Sequence, residues 1–126
     1  YLFTMIDTKE HFQFAREDIA MEKGLLKVSL SIAADLPYFD GHFPDNPVLP
    51  GVAILDATLW VIRSFMDRDE IEYSTIKNAK FMSVVKPGDQ IDLTIEIPEL
   101  EDEWFKCSWC CGGQTVSELR FSISGC

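Results

Sequence analysis

Two stretches near the start of the chain alternate between apolar and polar residues. Phe12 and Phe14 have polar neighbours, and residues 26–32 (LKVSLSI) place an apolar side chain at every second position. Strict alternation is typical of a strand that buries one face only. Glu22-Lys23-Gly24 provides a turn between the two stretches, so the pattern predicts an antiparallel hairpin.

The pattern then changes to a stiff loop followed by a helix. Residues 37–51 (PYFDGHFPDNPVLPG) contain four prolines and two glycines, which exclude both a helix interior and a central strand. From Val52 onward, apolar residues fall at helical spacing and also fill most of the other faces. A helix that is apolar nearly all round is a buried helix. We expect it to end near Met66, because charged residues follow.

Residues after the helix again show strand patterns separated by turns. A helix that is apolar on most sides needs an element to wrap it, and a curved sheet is the only one available. We therefore predict an α+β fold with an antiparallel sheet around a central buried helix, in one domain over residues 1–126. The predicted strands are 76–85, 91–97, 104–111 and 115–123, with turns at Pro87-Gly88-Asp89 and Gly112-Gly113.

Composition and charge exclude several classes of function. The net charge of −10, from 21 acidic and 11 basic residues, argues against a nucleic-acid binder. The longest apolar stretch is interrupted by Pro50, Asp56 and Arg63, so we predict no membrane span. No basic segment followed by an apolar run is visible at the N-terminus, so we expect no secretory signal.

The four cysteines favour a reducing compartment. Cys107 and Cys110 have the spacing of half a zinc site, but no second pair or nearby histidine completes it. We interpret these residues, with Cys111 and Cys126, as reduced thiols and predict a cytoplasmic protein without a metal site.

Three residues in the loop and the early helix carry candidate chemistry. Asp56 lies among apolar neighbours, and burial of its carboxyl group should raise its pKa, so that it can donate a proton. An imidazole such as His42 can accept one. Gly51 stands at the helix start, where an exposed backbone N–H can polarise a carbonyl oxygen. The set suits proton abstraction beside a carbonyl, followed by loss of a β leaving group. From the residues alone, a structural histidine and an acid that only stabilises the helix dipole stay open as alternatives.

The segment from Tyr38 to Val52 (YFDGHFPDNPVLPGV) closely resembles the signature loop of the β-hydroxyacyl-acyl-carrier-protein dehydratases. That family's pattern is GHFPxxPxxPG, followed by an apolar stretch and a catalytic Glu or Asp. The chain matches each fixed position from Gly41 to Gly51, and Asp56 falls at the family's spacing. Asp56-Ala57 is similar to the branch that also isomerises its product. Residues 77–90 look like the family's following strand and Pro-Gly-Asp turn.

The resemblance implies a hotdog fold, a shared active site in a dimer and no cofactor. His42 from one subunit would take the α-proton, and Asp56 from the other would protonate the departing hydroxyl. The Gly51 N–H would hold the thioester oxygen, and the Val48 carbonyl would orient the imidazole. The acyl chain would enter a tunnel along the helix, for which the predicted lining residues are Phe43, Pro44, Trp60 and Phe81.

The resemblance also implies an acyl carrier protein as partner and leaves alternatives open. The family usually has Gln where this chain has Trp60, which puts the tunnel's shape in question. An acidic carrier needs a basic landing site. The alternatives are a hotdog thioesterase, a non-catalytic subunit that completes an active relative's dimer, and a purely structural protein. The dimer itself is predicted as a homodimer or as a heterodimer with a related hotdog chain. Candidate landing residues are Arg63, Arg68, Lys77, Lys80 and Lys86.

Overall fold

A computed structural model describes residues 12–13, 18–39, 47–100 and 103–125. One long helix and seven strands occur in this part of the chain. In chain order the elements are β1 (Phe12–Gln13), β2 (Ala20–Glu22), β3 (Leu25–Ile32), a 3₁₀ turn (Pro37–Phe39), α1 (Gly51–Met66), β4 (Glu72–Phe81), β5 (Gln90–Glu96), β6 (Phe105–Cys111) and β7 (Gln114–Ser124).

The strands form a single antiparallel sheet with α1 on one of its faces. The order across the sheet is β1-β3-β5-β6-β7-β4, and β2 pairs with the other end of β3. Alternate residues of β3, β5 and β6 are buried together with the buried residues of α1 in one hydrophobic core. This arrangement confirms the predicted α+β hotdog fold. The hairpin before the helix and the turns at 87–89 and 112–113 are also confirmed.

Strand β4 differs from its prediction. It covers Glu72–Phe81, four residues earlier than the predicted 76–85. Two register shifts against β7, at Tyr73/Thr75 and Ile76/Asn78, break the alternation that the sequence pattern requires. After Phe81 the amides of Met82 and Ser83 both donate to the carbonyl of Val116, so the chain leaves the ladder there.

Helix α1 is fixed to the sheet by polar contacts as well as by its apolar face. The indole N–H of Trp109 donates to the hydroxyl of Thr58 at 2.9 Å, and this hydroxyl donates to the Ile54 carbonyl at 2.8 Å. Both Thr58 and Trp109 are fully buried, so the two bonds satisfy polar groups that water cannot reach. The helix ends at Met66, as predicted, with Asp67 in the left-handed conformation at φ 54°.

No helix in the described ranges is long and apolar enough to cross a membrane.

Candidate active site

The N-terminus of α1 presents backbone N–H groups that no side chain caps. Pro50 occupies the N-cap position, and its ring offers no hydrogen-bond acceptor. The segment before it is held by a bond from the Leu49 amide to the Val85 carbonyl at 2.7 Å. The backbone of Gly51 is therefore fixed at the positive end of the helix dipole.

Phe81, a predicted tunnel residue, lies against Gly51. A Cβ atom at residue 51 would stand 2.8 Å from Cζ of the Phe81 ring, which is closer than real Cβ contacts. The absence of a side chain therefore lets β4 approach the helix start closely. The structure thus brings together two of the residues that the sequence assigned to the site.

Asp56 lies in the second turn of α1 and is half-buried. Burial raises the pKa of its carboxyl group above the ordinary value of 3.8. Three smaller influences act on the same pKa: a hydrogen bond from Tyr38 and the charge of Arg63 lower it, and the charge of Glu72 raises it. The raised pKa agrees with the expectation from the apolar neighbours in the sequence.

Two tyrosines that the sequence analysis assigned no role contact the segment around Asp56. The Tyr38 hydroxyl donates to Oδ2 of Asp56 at 3.2 Å, and the Tyr73 hydroxyl donates to the Leu55 carbonyl at 2.6 Å. Burial raises the pKa of Tyr73 well above its ordinary value. The only signal in the sequence was that each carries a hydroxyl group, which needs a hydrogen-bond partner where the ring is buried.

Arg63 supplies the positive charge nearest to Asp56 along the helix, but it has partners of its own. Its Nε donates to the Ile71 carbonyl at 2.7 Å, and its Nη2 lies 2.7 Å from Glu72. The pair joins the end of α1 to the start of β4. Arg63 therefore lowers the pKa of Asp56 through its charge at a distance, and the negative charge of Glu72 offsets part of this lowering.

The remaining predicted site residues fall into two groups. Val48 and Trp60 are half-buried, and Trp60 follows Asp56 by four residues on the same side of α1. The roles predicted for both stay predictions. Three predicted residues, His42, Phe43 and Pro44, lie outside the described residues.

The basic residues predicted as a landing site have different surroundings. Arg68 pairs with Glu70 at 3.7 Å, and Nζ of Lys77 lies 5.1 Å from the centre of the Trp104 ring. Arg63 pairs with Glu72, as described above. Lys80 and Lys86 are exposed, and Lys80 lies opposite Glu118 on the outer face of the sheet.

A cleft of about 600 Å³ lies on the outer face of the sheet. It is lined by residues such as Glu96, Trp104, Lys106 and Arg120, which alternate with the buried side chains of their strands. The predicted acyl tunnel would run along α1, on the other face. This cleft is therefore a different feature from the predicted site.

The described cysteines are free thiols, and Cys107, the most buried of them, has low reactivity. Burial raises the pKa of the Cys107 thiol to about 12, so it is protonated at neutral pH. Within the described ranges, no group of three or more His, Cys, Asp or Glu residues could hold a metal ion. The site chemistry in these ranges therefore consists of a half-buried acid and a helix N-terminus.

This arrangement can supply a proton and hold an oxyanion. A carboxyl group whose pKa is raised by burial keeps its proton to a higher pH and can act as a general acid. An uncapped helix N-terminus can stabilise negative charge that develops on an oxygen. Both features lie on α1, between one and two turns apart.

Several known proteins to which this chain is similar are dehydratases by name. The family model described as "ApeI-like: ApeI dehydratase" matches residues 17–120. The 3-hydroxyacyl-[acyl-carrier-protein] dehydratase FabZ of Cupriavidus metallidurans is 36% identical over 75% of this chain and 70% of that protein. FabZ of Caldanaerobacter subterraneus is 35% identical over 65% of this chain, which spans only 63% of that relative's length.

One solved structure is similar to this chain in both fold and sequence. The dehydratase heterocomplex ApeI:P from Xenorhabdus doucetiae superposes with a TM-score of 0.72 at 25% identity, covering 82% of this chain and 90% of that chain.

Proposed function

Because this chain belongs to the ApeI-like dehydratase family, we propose that it removes water from a 3-hydroxyacyl thioester to give the trans-2-enoyl thioester. The observation that carries the proposal is Asp56, a half-buried acid whose pKa is raised, on the helix that begins at Gly51. The FabZ relatives are named for the same reaction on an acyl carrier protein.

The proposed reaction uses one base, one acid and one oxyanion donor. His42 takes a proton from the carbon next to the thioester carbonyl, and the Gly51 N–H stabilises the negative charge on the carbonyl oxygen. The bond between the β-carbon and its hydroxyl then breaks as Asp56 gives that oxygen a proton, and water leaves. The proton on His42 returns to Asp56 through solvent. In this proposal the Val48 carbonyl orients the imidazole.

Strand β4 supports a second hotdog subunit beside this one. It is an edge strand, and all its residues except Tyr73 are exposed. Ile76 pairs with the buried Phe121 and so faces the side of the sheet that holds α1, yet it is 42% exposed. Phe81, Met82 and Val84, at the end of β4 and just after it, are exposed apolar residues as well. An exposed apolar edge is a place where another chain pairs.

The second subunit would complete the active site, because Phe81 at this edge contacts Gly51. A homodimer and a heterodimer with a related hotdog chain both satisfy this requirement. The similarity to a heterocomplex of dehydratases supports the second form. In either dimer, the acyl chain would run along α1 in a tunnel, for which the proposed lining residues are Phe43, Pro44, Trp60 and Phe81.

An acyl carrier protein is the proposed carrier of the substrate, after the names of the FabZ relatives. Lys80 and Lys86 are exposed, close to Phe81 in the sequence, and are the proposed contacts for an acidic carrier. The free thiols of Cys107, Cys110 and Cys111 support a cytoplasmic location for the reaction.

The test is mass spectrometry of a 3-hydroxyacyl carrier protein incubated with the protein, and of the enoyl form in the reverse direction. We expect a loss or gain of one water with the natural sequence, and none with His42→Ala or Asp56→Asn. Asp69→Asn is the matched control, because Asp69 is exposed in the turn after α1.

Two other results would contradict the proposal. Release of the acyl group from its carrier would indicate a thioesterase. No change with any acyl chain tested would indicate a non-catalytic subunit that completes the dimer of a related hotdog chain.

A further inference from the structure

We propose that Tyr38 is a positioning residue that holds the carboxyl group of Asp56 and stabilises its carboxylate after the proton has been given to the departing hydroxyl. The inference rests on the proposed dehydration, because it gives Tyr38 a task in that reaction. It goes beyond the predicted base, acid and oxyanion donor by adding a residue that acts through the acid.

The geometry around Tyr38 is fixed by the backbone and by burial. Tyr38 lies in the 3₁₀ turn Pro37–Phe39, which is closed by a bond from the Phe39 amide to the Leu36 carbonyl at 3.0 Å. Its side chain is 3% exposed, and Leu36 and Phe39 beside it are buried as well. A buried hydroxyl needs a hydrogen-bond partner, and Oδ2 of Asp56 lies 3.2 Å away.

The contact also selects which oxygen of Asp56 carries the proton. Oδ2 accepts the bond from Tyr38, so the proton of the carboxyl group is favoured on Oδ1. A carboxyl group held by one oxygen has less rotational freedom in its last side-chain torsion, which is otherwise broad. Tyr38 therefore orients the acid in addition to bonding it.

Burial raises the pKa of Asp56 more than any other influence changes it, and the hydrogen bond from Tyr38 opposes this rise. Charged groups and hydroxyls on three elements also surround the carboxyl group. Burial makes the carboxylate unfavourable, and donation from Tyr38 makes it more favourable. Arg63 on α1 and Glu72 on β4 act in opposite directions and are paired with each other at 2.7 Å. Tyr73 on β4 donates to the Leu55 carbonyl instead of the carboxyl group.

This balance matters for a general acid. An acid that is only desolvated keeps its proton tightly and gives it up slowly to a hydroxyl. A hydrogen bond to the carboxylate strengthens as negative charge develops on Asp56, so it contributes where the proton is transferred. We expect loss of this bond to slow the chemical step more than it weakens substrate binding.

The experiment compares Tyr38→Phe with Tyr73→Phe. Both substitutions remove one hydroxyl that donates to α1 or its side chains, but only the first bond reaches Asp56. The Asp56 carboxyl would be followed by NMR titration of ¹³C-labelled aspartate, with its signal assigned from Asp56→Asn. We expect the pKa of Asp56 to rise in Tyr38→Phe and to stay nearly unchanged in Tyr73→Phe.

Activity gives a second readout. In Tyr38→Phe we expect kcat to fall about tenfold with little change in KM, and the high-pH limb of the kcat profile to move to higher pH. Replacement of Tyr38 by 3-fluorotyrosine, a stronger donor of the same shape, should move the pKa of Asp56 in the opposite direction. This second variant keeps the test valid even if Phe at residue 38 disturbs folding.

The titration separates failure of this inference from failure of the proposed function. An Asp56 pKa that stays the same or falls in Tyr38→Phe, or does not respond to fluorotyrosine, overturns the role of Tyr38 whatever the activity. If the protein dehydrates no substrate but the pKa of Asp56 moves as expected, the contact between Tyr38 and Asp56 is supported and the proposed dehydration is contradicted.

Discussion

The ring of Phe81, the last residue of β4, packs onto the backbone of Gly51, the first residue of α1, so the far ends of two consecutive elements meet where the helix dipole is positive. Phe81 is itself 48% exposed. The contact therefore lies at the edge of the core, beside the surface proposed to receive a second subunit. Its closeness makes residue 51 a sensitive position.

We expect Gly51→Ala to leave the protein folded but to lower dehydratase activity at least tenfold. The new methyl group would stand 2.8 Å from the Phe81 ring and beside the proposed oxyanion donor. Because Phe81 is half exposed and can turn away, and because alanine suits a helix, we expect stability to change by less than about 1 kcal/mol. Steady-state kinetics and urea unfolding measure the two effects.

Adding Phe81→Ala to Gly51→Ala distinguishes two possible causes of the expected loss of activity. If the methyl group acts by displacing the ring, the double variant should recover activity relative to Gly51→Ala. If the methyl group blocks the thioester oxygen directly, activity should stay low. Full activity in Gly51→Ala itself would contradict the role of this N–H.

Asp56 is predicted to cost stability at neutral pH. Its pKa is raised in the folded state above the ordinary 3.8, so the folded protein binds this proton more tightly than the unfolded chain does. The contribution of Asp56 to the free energy of unfolding is therefore greatest below pH 3.8, and it is lost as the pH rises through the pKa of Asp56 in the folded state. Asp56→Asn, which still accepts from Tyr38, should therefore be more stable than the natural sequence at pH 7.

Urea unfolding across pH would check this sign. The advantage of Asp56→Asn should shrink toward zero as the pH approaches 3.8. Asp69→Asn should show no such trend, because Asp69 is exposed. An advantage that grows as the pH falls would mean that the pKa of Asp56 is lowered by folding.

The sequence alone predicted the fold well and the site in part, for identifiable physical reasons. Residues 90–96 alternate cleanly between buried and exposed positions, so β5 could be placed within one residue. Strand β4 could not, because two register shifts and exposed side chains on both faces remove the alternation. Burial of Asp56 followed from its apolar neighbours, which lie on the same helix.

Contacts between different elements could not be predicted from spacing. Tyr38 meets Asp56 only because the 3₁₀ turn packs against α1, and Glu72 meets Arg63 only because the chain reverses after the helix. Neither pair has a local sequence signature. The resemblance predicted that Asp56 is the acid, and the structure showed that Tyr38 is its hydrogen-bond partner.

The exposed edge of β4 is predicted to hold the dimer together. We expect Ile76→Asp to shift the protein toward monomers in sedimentation experiments and to reduce activity in parallel, because it places a charge in the proposed apolar interface. Met21→Asp is the matched control: Met21 is 47% exposed on β2, at the other side of the sheet. Equal effects of both substitutions would exclude β4 as the specific contact.

The cysteines are predicted to differ in reactivity. Cys107 is buried with a pKa of about 12, whereas Cys110 and Cys111 are partly exposed. We expect iodoacetamide to modify the latter two at least tenfold faster than Cys107 in the folded protein, and all three similarly in urea, because alkylation requires an accessible thiolate. Peptide mass spectrometry after timed quenching resolves the sites, and rapid labelling of Cys107 in the native protein would contradict the described burial.

Thr58 is predicted to carry more stability through its hydroxyl than through its methyl group. Thr58→Val keeps the shape of the side chain but removes the acceptor for the Trp109 indole N–H, which lies 2.9 Å away and is fully buried. An unsatisfied buried donor costs about 1–3 kcal/mol, so we expect a loss of that size in urea unfolding. Thr58→Ser retains both hydrogen bonds and loses one methyl group, which should cost about 1 kcal/mol. A Thr58→Val variant as stable as the natural sequence would mean that packing alone fixes α1 on the sheet, and hence that the placement of Asp56 does not depend on this polar contact.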